Sequence, residues 1–230
     1  MDEKPSDLDC LKPLEAIHSV DPRSDNQAVL DIFKNGANAV AEHHRAVANI
    51  KLVETVPEKI FVQFETAKNL YLYSWFVYRF FPVAEHHALT CLELGLRQRF
   101  SDVLPKKYWD KPWKPTLRPL LNFAIDTRVI KNECFRQWRD HVNLRAQERY
   151  AMERHREMIE RDLPQIELDY TLAIPNDHDR DWDYLPILLD VLPGIRNSYA
   201  HGSTLLHNQV LGTLELVSEI LNQLYDSETK

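Results

Sequence analysis

Glycine and cysteine are scarce in this chain, which limits the folds and sites that it can form. The 230 residues include only five glycines, and β-branched runs are rare, so long helices are favoured over strands joined by many tight turns. The three cysteines, Cys10, Cys91 and Cys134, are widely spaced and odd in number. They define neither a disulfide framework nor a zinc-binding pattern, which favours a reducing cytoplasmic environment.

The motifs of several common enzyme classes are also missing. The chain contains no Gly-rich phosphate loop, no GxSxG, no CxxC and no HExxH. The sequence VAEHH occurs at 40–44 and at 83–87, but neighbouring residues diverge by about 100° on a helix, so His43 and His44 are poorly placed to share one ion. We expect no metal and no cofactor, and a helical enzyme with a metal at the histidine pairs stays an alternative.

No long hydrophobic run is free of charge. The most apolar stretch, residues 60–84, contains Glu65, Lys68 and Arg79, which predicts a buried helix rather than a membrane span. The first ten residues are acidic and polar, unlike a signal peptide. These features predict a protein of the cytoplasm that does not enter a membrane.

The charge balance is acidic, with one basic window. The net charge of −7 argues against indiscriminate binding to nucleic acid. Residues 96–118, however, hold seven positive and two negative side chains with three interleaved aromatic residues, Tyr108, Trp109 and Trp113. This window can be a nucleic-acid surface on which bases stack. The alternative is a surface loop whose aromatic residues pack against the edge of the core.

Apolar spacing along the chain is helical throughout and predicts an all-α fold. Residues 1–24 are typical of a flexible leader, and residues 25–230 form a single helical domain. Three- and four-residue spacing of apolar side chains predicts helices at about 25–50, 57–81, 83–100, 116–124, 181–201 and 203–224. Asp25, Thr116, Ser203 and Thr204 are the kinds of residue that cap a helix start.

Residues 131–162 differ from the other predicted helices. They contain eight basic and seven acidic residues with sparse apolar positions, which predicts a long helix lying mostly in solvent. Residues 163–180 follow as a loop. We interpret 131–180 as an insertion, or arm, within the helical domain.

The most informative stretch is IRNSYAHG, residues 195–202, at the end of an apolar helix. One interpretation is structural, because Gly202 is a natural residue to end a helix and basic side chains interact well with its C-terminal dipole. The other is functional, because the stretch pairs Arg196, a permanently charged phosphate binder, with His201, whose residue type commonly serves as a general acid or base. The residue pattern by itself leaves both open.

The string R-N-S-Y-A-H-G resembles the R-x4-6-H signature of HEPN domains, including the Asn that often follows the Arg. Residues 81–100 resemble the early core helix of that family, and residues 116–130 resemble the short helix that follows. The resemblance covers roughly 58–130 and 181–226, leaving 131–180 outside it. It implies a HEPN-like up-and-down helical bundle that forms a homodimer.

Many HEPN domains are metal-independent ribonucleases of toxin–antitoxin, phage-defence and RNA-processing systems. The resemblance therefore implies RNA as the substrate, cleaved through 2′-hydroxyl attack at a cleft shared by two copies, and an antitoxin or another protein as a further partner. It implies that Arg196, His201 and Asn197 are catalytic. The candidate RNA-binding residues are Ser198, Tyr199, Lys106, Lys107, Trp109, Lys111 and Trp113.

Two features limit what the resemblance implies. Residues five apart are offset by about 140° on a straight helix, so Arg196 and His201 converge only if the helix end is distorted, for example by Pro193-Gly194, or if a second copy contributes. The subfamily that pairs with nucleotidyltransferases carries a Tyr where this chain has Ser203. The alternative function is a non-catalytic HEPN-type module for dimerisation, or for binding a protein or nucleotide, with the charged arm as its partner surface.

Overall fold

The computed structural model describes residues 7–24, 36–111 and 115–226, and within these ranges it shows helices and no strand. The α-helices are α1 (Gly36–Ala48), α2 (Glu58–Tyr73), α3 (Phe80–Phe100), α4 (Leu117–Asp126), α5 (Arg136–Glu160), α6 (Leu185–Ala200) and α7 (Leu211–Tyr225). Short 3-10 helices lie between them, at Lys106–Tyr108, Asn132–Cys134 and Tyr170–Leu172. The all-α prediction is confirmed for this part of the chain.

Helix α3 is the centre of the fold, packing against α2, α4, α6 and α7. Its inner face carries small and medium side chains at helical spacing, including Ala84, Ala88 and Leu92, all fully buried. At Gly95 a Cβ would lie 2.6 Å from Leu221 Cδ2, so the missing side chain allows α7 to approach α3 closely. Burial along α3 therefore holds four other helices in place.

The arm helix α5 is attached differently. Only Val142 and Ala146 are buried along its 25 residues, so polar contacts near its first turns hold it. Arg136 forms an ion pair with Glu215 of α7 at 2.6 Å, and the indole of Trp138 donates to the carbonyl of Trp182 at 2.8 Å. The prediction of a long, mostly solvated helix agrees with this arrangement.

The segment predicted to be a flexible leader contacts the bundle in residues 7–24. Asp9 pairs with Arg79 at 2.8 Å, and buried Asp21 accepts from the backbone N–H of Tyr78 at 3.1 Å. Arg23 joins both carboxylates. The polar composition that predicts flexibility thus forms an ion-pair cluster at the turn between α2 and α3.

Three predicted helix starts differ from the structure or lie outside it. The start at Asp25 lies outside the described residues. Thr116 does precede α4, but without a side-chain cap, because its hydroxyl bonds Asp110 instead. Ser203 and Thr204 do not start the last helix, since α7 begins after Val210. Residues 203–210 form a loop that carries His207 back to α3.

No helix in the described ranges is both long enough and apolar enough to cross a membrane.

Candidate functional site

The end of α6 is a helix cap built on Gly202. Gly202 has a φ of +84°, and its N–H donates to the carbonyl of Tyr199 at 3.1 Å while that of Ser203 donates to Ser198 at 3.0 Å. This pair of bonds is the Schellman arrangement, which satisfies carbonyls that a helix end leaves open. The structural interpretation of IRNSYAHG is therefore correct for the backbone, which ends the helix without using the side chains of Arg196, Asn197 or His201.

Helix α6 stays continuous through Pro193 and ends at Ala200. On a continuous helix, positions five apart are offset by about 140°, so Arg196 and His201 are expected to point in different directions. No hydrogen bond or ion pair joins them within the described part of the chain. His201 is the C-cap residue and is exposed. The distortion that Pro193-Gly194 was expected to supply does not bring the two side chains together.

Arg196 is held by a buried carboxylate of α3. Its Nη2 lies 3.0 Å from Glu93 Oε2, and the two side chains are 26% and 6% exposed. The other oxygen of Glu93 accepts from Nη2 of Arg97, one turn further along α3. Arg97 also reaches the carbonyl of Pro115 at 3.4 Å. One carboxylate therefore bridges two guanidinium groups, and the cluster keeps a net charge of +1.

The ion pair does not lock Arg196. Glu93 Oε2 accepts no hydrogen bond within the described part of the chain, so the 3.0 Å contact lacks the alignment of a bidentate pair. With a quarter of its side chain exposed, Arg196 can still meet a ligand at the surface. Asn197 and Ser198 are exposed beside it. The polar end of α6 is thus accessible from solvent, although Arg196 has an intrachain partner.

Tyr199 belongs to a second cluster, centred on Glu85. The Tyr199 hydroxyl donates to Glu85 Oε2 at 2.6 Å, and that of Thr213 donates to Oε1 at 2.6 Å. His207 Nε2 lies 2.9 Å from the Tyr199 oxygen and 3.3 Å from Glu85 Oε2. Since the single Tyr199 proton goes to Glu85, His207 Nε2 must carry a proton and donate.

This second cluster is structural in character. Burial, and then the hydrogen bond to Glu85, raises the pKa of Tyr199 well above its usual value, so the phenol stays protonated. Glu85 is 2% exposed and joins α3 to α6 and α7. Tyr199, expected among the RNA-binding residues, is engaged in this interior contact rather than free at the surface.

His86 lies between the two clusters. Its ring centroid is 6.0 Å from that of Tyr199. Burial lowers its pKa, and the positive charge of Arg196, together with nearby His87, lowers it further. The pKa of His86 therefore responds, after burial, to the positive charge of Arg196.

The sequence did not identify Glu93 or Arg97 as site residues. A signal for them was present: Glu85, Leu89, Glu93 and Arg97 follow one another at four-residue steps, and all but Arg97 are buried. Buried carboxylates need hydrogen-bonding or positively charged partners. That pattern could have pointed to an arginine or hydroxyl on a facing helix.

The basic window divides between the two interpretations that the sequence left open. Tyr108 packs edge-on against Phe123 at 5.1 Å and donates to Asp126 at 2.6 Å, as a core-edge aromatic does. Trp109 is 41% exposed, and Lys106, Lys107 and Lys111 are exposed around it. Trp113 lies outside the described residues.

The histidine pairs do not form a metal site in the part of the chain that the structure describes, where no group of three or more His, Cys, Asp or Glu residues can hold an ion. His43 instead stacks on Tyr71 at 4.4 Å and bonds its carbonyl at 2.9 Å. Burial lowers the pKa of His43. Its role is to pack α1 on α2.

Comparison with protein-family models, with curated proteins and with solved structures finds no match for this chain.

Proposed function

We propose that the chain is a HEPN-type, metal-independent endoribonuclease of a toxin or phage-defence system, active as a homodimer. The observation that carries the proposal is the accessible end of α6. There Arg196 is held by a buried carboxylate that it shares with Arg97, and exposed Asn197 and His201 lie on the same helix end. The resemblance of R-N-S-Y-A-H-G to the HEPN signature supplies the reaction class.

The chemistry needs three groups, and the helix end supplies two of them, a positive group and one acid–base side chain, with solvent water taking part in the remaining proton transfer. RNA cleavage without a metal requires a base for the 2′-hydroxyl, a positive group for the phosphorane charge and an acid for the leaving oxygen. His201 can serve as the base or the acid, and Arg196 can bind the non-bridging oxygens. Asn197 can orient the phosphate. The product expected is a 2′,3′-cyclic phosphate.

The charge around Arg196 favours an anion. Glu93 neutralises only one of its two guanidinium partners, so a phosphate meets a net positive group that already lies at the helix end. A positive charge at this place can stabilise the negative charge that develops on the phosphorane. The contact with Glu93 is thus compatible with phosphate binding.

The angle between Arg196 and His201 favours a site made by two chains. Since α6 is continuous through Pro193, positions five apart on it are offset by about 140°, which does not favour convergence of the two side chains of one copy. A second copy related by a twofold axis can supply its His201 to the Arg196 of the first. The proposed site is therefore composite.

Cleavage assays test the catalytic part of the proposal. We expect purified protein to cleave RNA in the presence of EDTA, and His201→Ala and Arg196→Ala to lose at least about 100-fold in rate. Matched controls are His155→Ala and Arg161→Ala, exposed residues of α5 and its C-cap, which should cleave normally. Equal activity in all variants, or a strict metal requirement, would overturn the proposal.

Mixing the two inactive variants tests the composite site. If Arg196 of one chain acts with His201 of the other, each mixed dimer regains one of its two sites. Random exchange makes half of the dimers mixed, so activity should return to about a quarter of the wild-type value. A mixture that stays inactive, although subunit exchange is shown, would place the site within one chain.

A non-catalytic interaction module is the second candidate, and exposed apolar side chains on α5 favour it. Leu144, Met152 and Ile159 are all more than half exposed, in a helix whose other exposed residues are mostly charged. Positions 152 and 159, seven apart, share one face of the helix, and exposed apolar side chains grouped on one face are typical of contacts with another protein. This function predicts no RNA cleavage by the wild type. It also predicts weaker self-association of the purified protein in Met152→Glu, measured by sedimentation.

A further inference from the structure

The side chain of Trp109 lines two neighbouring surface grooves. On one side lies a groove of about 400 Å³ whose lining includes Lys107, Arg118 and Asn122. On the other lies a groove of about 470 Å³ lined by Lys106, Asp110 and Lys111 as well. A partly exposed indole bordered by cations on both sides combines the two features that bind single-stranded nucleic acid, a stacking surface and positive charge.

The residues on either side of Trp109 in the chain are held by contacts with α4 and its start. Tyr108 is fixed by Phe123 and Asp126, and the Lys107 ammonium lies 4.9 Å from the centroid of its ring. Asp110, on the other side of Trp109, accepts from the backbone and hydroxyl of Thr116 at the start of α4. Both neighbours of Trp109 are therefore anchored, which limits the movement of the indole and lowers the entropic cost of stacking.

The groove also contains groups that can recognise a nucleotide. Arg118 binds Asp190 at 3.0 Å, but both side chains are more than half exposed, and such pairs contribute little. Arg118 can therefore exchange Asp190 for a phosphate. Asn122 is half-buried in the wall, and its amide can bond the edge of a base.

The groove is connected to the end of α6. Leu189 lines it, and Arg196 follows seven residues later, on nearly the same face of α6 and about 10 Å along its axis. A second connection runs through Arg97, which contacts both Glu93 and the carbonyl of Pro115 beside the loop. A short single strand can span from one place to the other.

From this placement we propose that the Trp109 groove is a base-stacking subsite for single-stranded RNA, holding a nucleobase that flanks the phosphate at Arg196. Stacking on the indole supplies affinity, and Lys107 and Arg118 contact the backbone. The proposal rests on the proposed function for its substrate, but binding at the groove is a separate property that does not need cleavage.

Binding to a fluorescein-labelled 2′-O-methyl oligouridylate, which cannot be cleaved through its 2′-hydroxyl, tests the subsite. We expect Trp109→Ala to bind between about 5-fold and 100-fold more weakly, and Trp109→Phe to recover most of the affinity. The salt dependence should stay unchanged in Trp109→Ala, while Arg118→Ala lowers its slope by about one phosphate contact. Tyr170→Ala, an aromatic of similar exposure on the arm, is the matched control.

Scanning the oligonucleotide with single abasic positions locates the base. Wild type should lose affinity at one position, and Trp109→Ala should lose that position dependence. If Trp109→Ala binds the oligonucleotide as tightly as the wild type does, the subsite proposal is overturned, even if the loss of cleavage in His201→Ala supports the nuclease proposal. An oligonucleotide that binds through Trp109 to a wild type that never cleaves RNA supports the subsite and overturns the nuclease. Wild type that binds no oligonucleotide overturns the subsite.

Discussion

Two glutamates of α3, Glu85 and Glu93, are equally buried and have opposite surroundings. They are 2% and 4% exposed, and eight residues, or about 12 Å, separate them along the helix. Glu85 is surrounded by two hydroxyls and an imidazole. Glu93 lies between two guanidinium groups. The same residue type in the same helix thus joins three helices at one place, and at the other it binds two arginines whose combined charge exceeds its own.

The difference lies in what the partners can do if the carboxylate changes. A hydroxyl both donates and accepts, so it can rotate to suit a new neighbour, whereas a guanidinium only donates. The Glu85 cluster is therefore adaptable, and the Glu93 cluster depends on the negative charge. Substitutions at the two positions should separate these properties.

The largest effect is expected for Glu93→Gln. Its amide group would place N–H donors against Arg97 or Arg196, leaving a partly buried cation without a partner. Breaking a buried pair costs about 3–5 kcal/mol, and the partial exposure of both arginines reduces this to about 2–3 kcal/mol. Urea denaturation measures the free energy of unfolding. Glu65→Gln, a more exposed pair with Lys68, is the control and should change stability by less than about 0.5 kcal/mol.

A smaller loss is expected for Glu85→Gln, about 1–2 kcal/mol. The hydroxyls of Tyr199 and Thr213 can each donate to the amide oxygen or accept from its N–H. The same denaturation series measures this change. If Glu85→Gln proves as costly as Glu93→Gln, the comparison fails, and the charge of Glu85 matters as much as its geometry.

The smallest effect concerns the pKa of His86, lowered chiefly by burial and additionally by Arg196. Arg196→Ala should raise this pKa toward its ordinary value without reaching it, since burial remains. A lowered pKa means that the unfolded state binds the proton first, so stability falls as pH drops through the ordinary range of histidine. Arg196→Ala should weaken that dependence of stability on pH. NMR titration of His86 measures the change in its pKa. Arg118→Ala is the control; an unshifted His86 in Arg196→Ala would contradict the assignment.

Local patterns in the sequence predicted much of this fold. The apolar face of α3, the solvated character of α5 and the glycine that ends α6 all follow from residues a few positions apart. The two glutamate clusters depend instead on long-range contacts: the partners of Glu85 lie 114 and 128 residues away. Periodicity places Glu85 and Glu93 on a helix face but does not say which helix faces them. The ion pairs of residues 7–24 are also long-range, since Arg79, which binds Asp9, is 70 residues distant.

The loop between α6 and α7 has a mechanical consequence through the Glu85 cluster. Residues 203–205 are exposed, while Tyr199 before them and Thr213 after them bind the same carboxylate. The two helices are therefore fastened to α3 independently of the peptide chain between them. A protease that cuts at 203–205 should produce two fragments that still elute together in gel filtration. In Glu85→Ala the fragments should separate more readily, because the carboxylate that both helices bind is missing.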